Sequence, residues 1–358
     1  MSTLLPFLPL MPEESVTSYA ARVTALHHGG SARAFLRCLG VAYAPIVAGD
    51  PDALAAFADL TAVPADDIAR AALTARGHIH CFRGELVQQK MLRCAQTHIC
   101  PRCLAADIAT STLPTTAAVY GRMIWQFRPI RACPHHHVLL EPIGEAGHGD
   151  NAHDFARTIA STLSTIDDRA TSAQPVERSA AEAYLVARFS NTPTPSPLLD
   201  AMPWYAAART CEAVGIVALH VANVERRALS EVARREAANH GFHIVHGGEA
   251  SVRSFLDDLR GRQKTWKPEY HGSRTPYGSL QVFLTFPRPD PGYAPLRRIV
   301  HEHALQHIPF GPGDRVVGFP SIVDGFTRSR RQLSRPGSIP SASAKFRSRK
   351  GSSHRMPR

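Results

Sequence analysis

Two short stretches, ICPRC at 99–103 and CPHHH at 133–137, constrain this chain more than any other part of it. Zinc takes four tetrahedral ligands, and a Cys-x-x-Cys or Cys-x-x-His knuckle presents two of them with the right bite. Cys100 and Cys103 form one such knuckle; Cys133 and His136 form the other. The spacer of 29 residues is longer than in a finger wrapped round a single helix, yet ample for a hairpin. Three thiolates and one imidazole close the shell and leave no position for a catalytic water, so the expectation is one structural zinc ion. His135 and His137 flank His136, and only the Cys-x-x-His spacing selects the middle one. Cys81, Cys94, His80 and His98 lie near enough in sequence to replace a ligand or complete a second, irregular site. Cys38 and Cys211 sit on apolar helical segments and read as core residues.

Cysteine usage and charge narrow the setting. Of seven cysteines, five fall between Cys81 and Cys133, which suits metal binding in a reducing cytoplasm better than a disulfide framework. The most apolar run, VGIVALHVANV (214–224), is too short to cross a bilayer and carries His220, so it reads as a buried helix. The opening MSTLLPFLPLMPEE lacks a basic region and holds three prolines, which argues against a signal peptide. The net charge of +11 invites a nucleic-acid reading, but its distribution matters more than its total. From Phe319 to Arg358 there are ten Lys/Arg and one acid, Asp324, which leaves residues 1–318 with a net charge of only +2.

Hydrophobic periodicity predicts a mainly α chain. Val16, Tyr19, Ala20, Val23 and Leu26 fall at helical spacing, with Glu13, Glu14 and Ser15 at the dipole-favoured end. A second helix is expected over about Ser31 to Leu39. LAAFADLTAVPADDIARAAL (54–73) reads as helix, tight turn, helix. This spacing suits either a DNA-reading helix-turn-helix or a packing hairpin, and Asp66 and Asp67 stand where a recognition helix would meet phosphates. From His78 to about Pro142 the pattern shifts to short β-rich pieces, AVYGRMIWQF and HVLLEPI among them. Helical segments return in DFARTIASTLSTI, AAEAYLVARF, LLDAMPWYAAARTCEAVGIVALHV, RRALSEVARREAANHGF and ASVRSFLDDLRGR, and two short ones close the pattern, YGSLQVFL and APLRRIVHEHALQHI. The expected organisation is an N-terminal, helix-turn-helix-like helical unit (1–77), a small zinc-bound β-ribbon module (78–145), a mainly helical C-terminal domain (146–318) and a basic, disordered tail (319–358).

Catalytic patterns do not survive inspection. A zinc deaminase needs His-x-Glu followed by Pro-Cys-x-x-Cys, whereas here the order is Cys-Pro-x-Cys and no His-x-Glu precedes it. HEHALQH (301–307) has two histidines four apart, but Ala304 stands where a metalloprotease has its general-base Glu. These histidines are expected on a solvated helix face, and the chain is read as a non-enzyme.

Three blocks together resemble the TniQ family of transposition proteins. LPLMPEESVTSYAARVTALH (8–27) supplies Glu14, Ser15, Ser18, Tyr19 and Arg22, with Tyr19 where Trp is usual. ICPRCLA supplies the Cys-Pro-x-Cys-Leu knuckle. IWQFRPIRACPHHHVLL supplies Trp125, Cys133, His136, Leu139 and Leu140, with His137 where the family usually has Gly. The blocks span about residues 8–140, and a weaker likeness continues to GPGDRVVG. Two departures stand out: no further Cys-x-x-Cys follows the Leu pair, and no helix-turn-helix pattern follows Val317-Gly318. The Arg-, Ser- and Pro-rich tail is either an out-of-frame translation replacing such a helix pair or a basic segment that meets DNA through phosphates.

The resemblance implies an adaptor, not a transposase. Such a protein binds DNA, or a DNA-bound targeting complex, and recruits the transposon's AAA+ ATPase. The transposase and a second copy of the chain are further candidate partners. It implies structural roles for Cys100, Cys103, Cys133 and His136, and an organising role for Ser15, Tyr19 and Arg22 in the first helical unit. The competing readings are a stand-alone zinc-containing DNA-binding regulator and a metal-dependent hydrolase.

Overall fold

The first helix, α1 (Val16–His27), begins where Ser15 accepts a hydrogen bond from the Ser18 backbone N–H and so caps one otherwise unpaired donor. The computed structural model describes residues 3–144, 153–190, 195–220, 224, 226–262, 277–281 and 290–307. The expected basic tail, 319–358, and its two alternative origins lie outside the described residues.

Around α1 gather α2 (Ala32–Cys38), α3 (Tyr43–Ala48), α4 (Pro51–Thr61) and α5 (Ala65–Arg70). Val16, Tyr19, Ala20 and Val23 of α1 join Leu36, Ile46, Phe57 and Ile68 in one buried core. The expected helix, tight turn and helix over 54–73 are α4, a left-handed Ala62 and α5. α5 is only six residues long and opens with Asp66 and Asp67 in its first turn. Cys38 corrects the sequence reading: it is exposed, because the apolar face of α2 runs through Phe35 and Leu36 instead.

Next come β1 (Thr74–Arg76), β2 (Ile79–Phe82) and β3 (Glu85–Gln88), an antiparallel meander that buries Phe82 and Val87. A separate ribbon pairs β4 (Thr97–Ile99) with β5 (Glu141–Ile143), with Ile99 opposite Glu141. Between them lie α6 (Pro101–Thr110), α7 (Thr115–Ala118) and a 3-10 turn at Met123–Gln126. AVYGRMIWQF therefore makes a short helix end and a 3-10 turn where strand was expected. Its contribution to sheet pairing is two isolated bridges, Glu14 to Arg122 and Leu92 to Phe127. Buried residues fall in an unbroken run from Met123 to Trp125, and a tight turn can bury such a run against several neighbours at once.

The remaining described elements are helical: α8 (Phe155–Ile159), α9 (Ile166–Ser172), α10 (Ala180–Ala187), α11 (Pro197–Asp200), α12 (Trp204–Leu219), α13 (Glu231–His246), α14 (Gly248–Arg262) and α15 (Ala294–His307). The chain is thus mainly α, as its periodicity predicts. α12 and α13 cross backbone to backbone. A Cβ on Gly215 would stand 1.6 Å from the Ala237 carbonyl oxygen, and one on Gly241 would stand 1.9 Å from that of Cys211. Cys211 is buried in this crossing, as expected. His303 on α15 departs from the expected solvated face: it is 2% exposed, covered by Tyr277 and α14. No helix among the described residues is long and apolar enough to cross a membrane.

Candidate metal centre

Cys100 caps the N-terminus of α6 and Cys103 sits in its first turn, so the helix itself sets the bite of the first knuckle. Pro101 at the first helical position fixes that start, since its missing N–H would have had no helical partner. The second knuckle is a turn in which the His137 N–H donates to the Cys133 carbonyl at 2.9 Å and the Cys133 N–H donates to the Val138 carbonyl at 2.9 Å. The β4–β5 ribbon flanks both knuckles, with β4 ending immediately before Cys100.

These pieces bring all four expected residues together. His136 Nδ1 lies 3.2 Å from Cys103 Sγ, 3.6 Å from Cys100 Sγ and 3.8 Å from Cys133 Sγ, and the sulfurs of Cys103 and Cys133 are 3.5 Å apart. Metal bonds of about 2.3 Å to sulfur and about 2.0 Å to nitrogen place the edges of a tetrahedron at roughly 3.5–3.8 Å. The donor set therefore fits one tetrahedral ion, with Nδ1 as the imidazole ligand. The three cysteines are buried and His136 is half-buried. His135 turns outward to Glu13, 2.9 Å away. Cys81, Cys94, His80 and His98 are not part of the group.

The electrostatics show what a cation would do here. Hydrogen bonding to Cys100 and then Cys133, with burial, pushes the Cys103 thiol up. Hydrogen bonds from Cys100 and Cys103 hold Cys133 down as a thiolate. Holding three thiolates in this apolar pocket requires a compensating cation.

Three arginines organise the surroundings, and the sequence reading named none of them. Arg122 makes a two-pronged bond to Asp107 of α6 at 2.6 and 2.7 Å and lies over the Tyr120 and Trp125 rings. Its charge also favours the thiolate form of Cys103. Arg93 donates to the carbonyls of Trp125, Phe127 and Ile130, gripping the segment that leads into the second knuckle. Arg131, two residues before Cys133 and 4% exposed, donates to Glu231 at 2.7 Å and Glu212 at 3.3 Å, while its backbone N–H donates to Glu182 at 2.8 Å. The second knuckle is thereby tied to α10, α12 and α13. The sequence signal for Arg131 is an arginine in the otherwise apolar approach to Cys133, FRPIRAC, and Arg93 and Arg122 lie outside that stretch.

The first helix belongs to the same construction. Arg22 donates to Glu14 at 2.6 Å and to the Ala117 carbonyl at 2.8 Å, and both side chains are almost fully buried. Ser18 donates to Glu14 at 3.1 Å and accepts from the Gly121 N–H at 2.7 Å, and Tyr19 donates to the Leu8 carbonyl at 2.7 Å. Ala21 on the other side of α1 packs into the core that holds Cys100, Cys103, Trp125, Cys133 and Leu140. The residues of the PEESVTSYAAR block are thus the joint between the helical unit and the knuckles.

Comparison with protein families decides what this construction is: the TniQ family model matches residues 5–140. The chain carries a TniQ domain. TniQ is a transposition-associated family, and the matched span contains all four grouped Cys and His residues together with the Glu14–Arg22 joint. No curated protein gives a significant match to the chain.

Proposed function

We propose that this protein is a non-catalytic adaptor of DNA transposition that engages DNA, or a DNA-bound targeting complex, and recruits an AAA+ ATPase. The observation that carries this reading is the TniQ match over residues 5–140, enclosing a closed Cys3His centre. On this reading the ion is zinc, held by Cys100, Cys103, Cys133 and His136. It supplies shape rather than chemistry, because four protein ligands fill its tetrahedral shell. We take residues 1–145 as the TniQ unit and the helices α10, α12 and α13 after it as a platform tied to the second knuckle through Arg131. A body with a net charge of only +2 over residues 1–318 supports work through protein surfaces, with the basic residues after Phe319 adding phosphate contacts.

The test is a pull-down of the full chain with the AAA+ ATPase encoded on the same mobile element, with and without DNA. The adaptor reading expects retention of the ATPase, strengthened by DNA. Binding to DNA with no retention of the ATPase under either condition would favour the stand-alone regulator.

A further inference from the structure

A second group of metal-ligating side chains lies on the pair α14–α15, far in sequence from the TniQ span. His303 and His307 are four apart on α15, so their rings project from one face, with centroids 4.4 Å apart. Asp257 faces them from α14. His303 Nε2 is 3.2 Å and His307 Nε2 is 3.6 Å from the same oxygen, Asp257 Oδ1. Bonds of about 2.0–2.1 Å from one ion to imidazole and carboxylate give tetrahedral edges of roughly 3.4 Å, which these separations bracket.

The surroundings match what a cation needs. The Tyr277 hydroxyl lies 2.9 Å from His303 Nδ1 and fixes the ring, the outer-shell support that metal-bound imidazoles have. When Nδ1–H donates to that hydroxyl, Nε2 turns a lone pair towards the Asp257 carboxylate, an arrangement a cation between them stabilises. Asp257 and His307, with side chains 51% and 30% exposed, leave a path for the ion from solvent. The register of the two helices is set separately by Arg253 and Arg298, which both pair with Glu249 and Glu302. Arg260 approaches His307 Nδ1 at 3.1 Å and Asp257 at 4.0 Å, and its charge weakens the site without closing it.

We propose that Asp257, His303 and His307 form an open divalent-cation site, distinct from the Cys3His centre, for an imidazole-preferring ion such as Zn2+, Co2+ or Ni2+, with water completing the shell. The alternative within the same geometry is a closed hydrogen-bond chain, in which Tyr277 donates to His303 and His303 donates to Asp257. The site is independent of the adaptor reading and stands or falls apart from it.

Equilibrium dialysis of the untagged full chain against Co2+, with elemental analysis and absorption spectra, separates the two. The site predicts a second bound equivalent that adds no thiolate-to-cobalt charge-transfer band. That equivalent is lost in Asp257→Asn and in His307→Gln, and its affinity falls ~10- to 100-fold in Tyr277→Phe. Asp257 and His307 are partly exposed, and melting of both variants in chelator, compared with the parent, reports whether they fold. A single equivalent in the parent, or a second one that persists in both variants, overturns the site and leaves the hydrogen-bond chain.

Discussion

At His137 the backbone adopts φ +50°, a left-handed turn that closes the second knuckle directly after its imidazole ligand. Side chains with a Cβ are strained there by about 1 kcal/mol, and glycine is not. This gives a physical reason for the glycine usual in the family at that position. His137→Gly is expected to raise stability by about 0.5–1 kcal/mol in chemical denaturation, with metal content unchanged. The Glu14–Arg22 pair carries a different signature. Burial, opposed by Arg22, raises the Glu14 carboxyl from 4.5 to about 7. The folded chain therefore holds a proton that the unfolded chain releases between those values, so this group stabilises the fold at low pH and the contribution is lost as pH rises through about 7. Urea midpoints compared at pH 5 and pH 8 should show that loss in the parent protein and a smaller one in Glu14→Gln.

At the scale of elements, the crossing of α12 and α13 depends on Gly215 and Gly241, which let the two backbones touch. Gly241→Ala places a methyl group 1.9 Å from the Cys211 carbonyl oxygen, so the helices must part. A loss of about 1–3 kcal/mol or more is expected in thermal or urea unfolding. Most helices were legible from periodicity, because a buried stripe at 3.6-residue spacing survives wherever packing is one-sided. Cys100, Cys103, Cys133 and His136 were legible too, because knuckle spacing is a covalent constraint that acts within four residues. The 3-10 turn at Met123–Gln126 was not, since a turn buried all round has no face to report a period. The clamp made by Arg131 was not legible either. Its three partners, Glu182, Glu212 and Glu231, lie 51, 81 and 100 residues away. The burial of His303 was not legible for a related reason: Tyr277 and Asp257, its cover and its partner, come from other segments.

For the molecule as a whole, the centre does more than brace a ribbon. Its first knuckle is a helix N-terminus, its second is roped to three later helices through Arg131, and α1 packs against the core that encloses it. The centre is therefore predicted to hold the described helices before and after it in one cooperative unit. On the proposed reading, the net charge of only +2 over residues 1–318 suits surfaces that recruit protein partners. On the proposed reading, one ion bound by Cys100, Cys103, Cys133 and His136 maintains the fold of residues 5–140. The most direct measurement is metal content and thermal unfolding of the full chain against Cys103→Ser. One thiolate-bound zinc is expected in the parent, and in the variant loss of that zinc with loss of cooperative unfolding. A variant that lacks the zinc yet melts like the parent would contradict it.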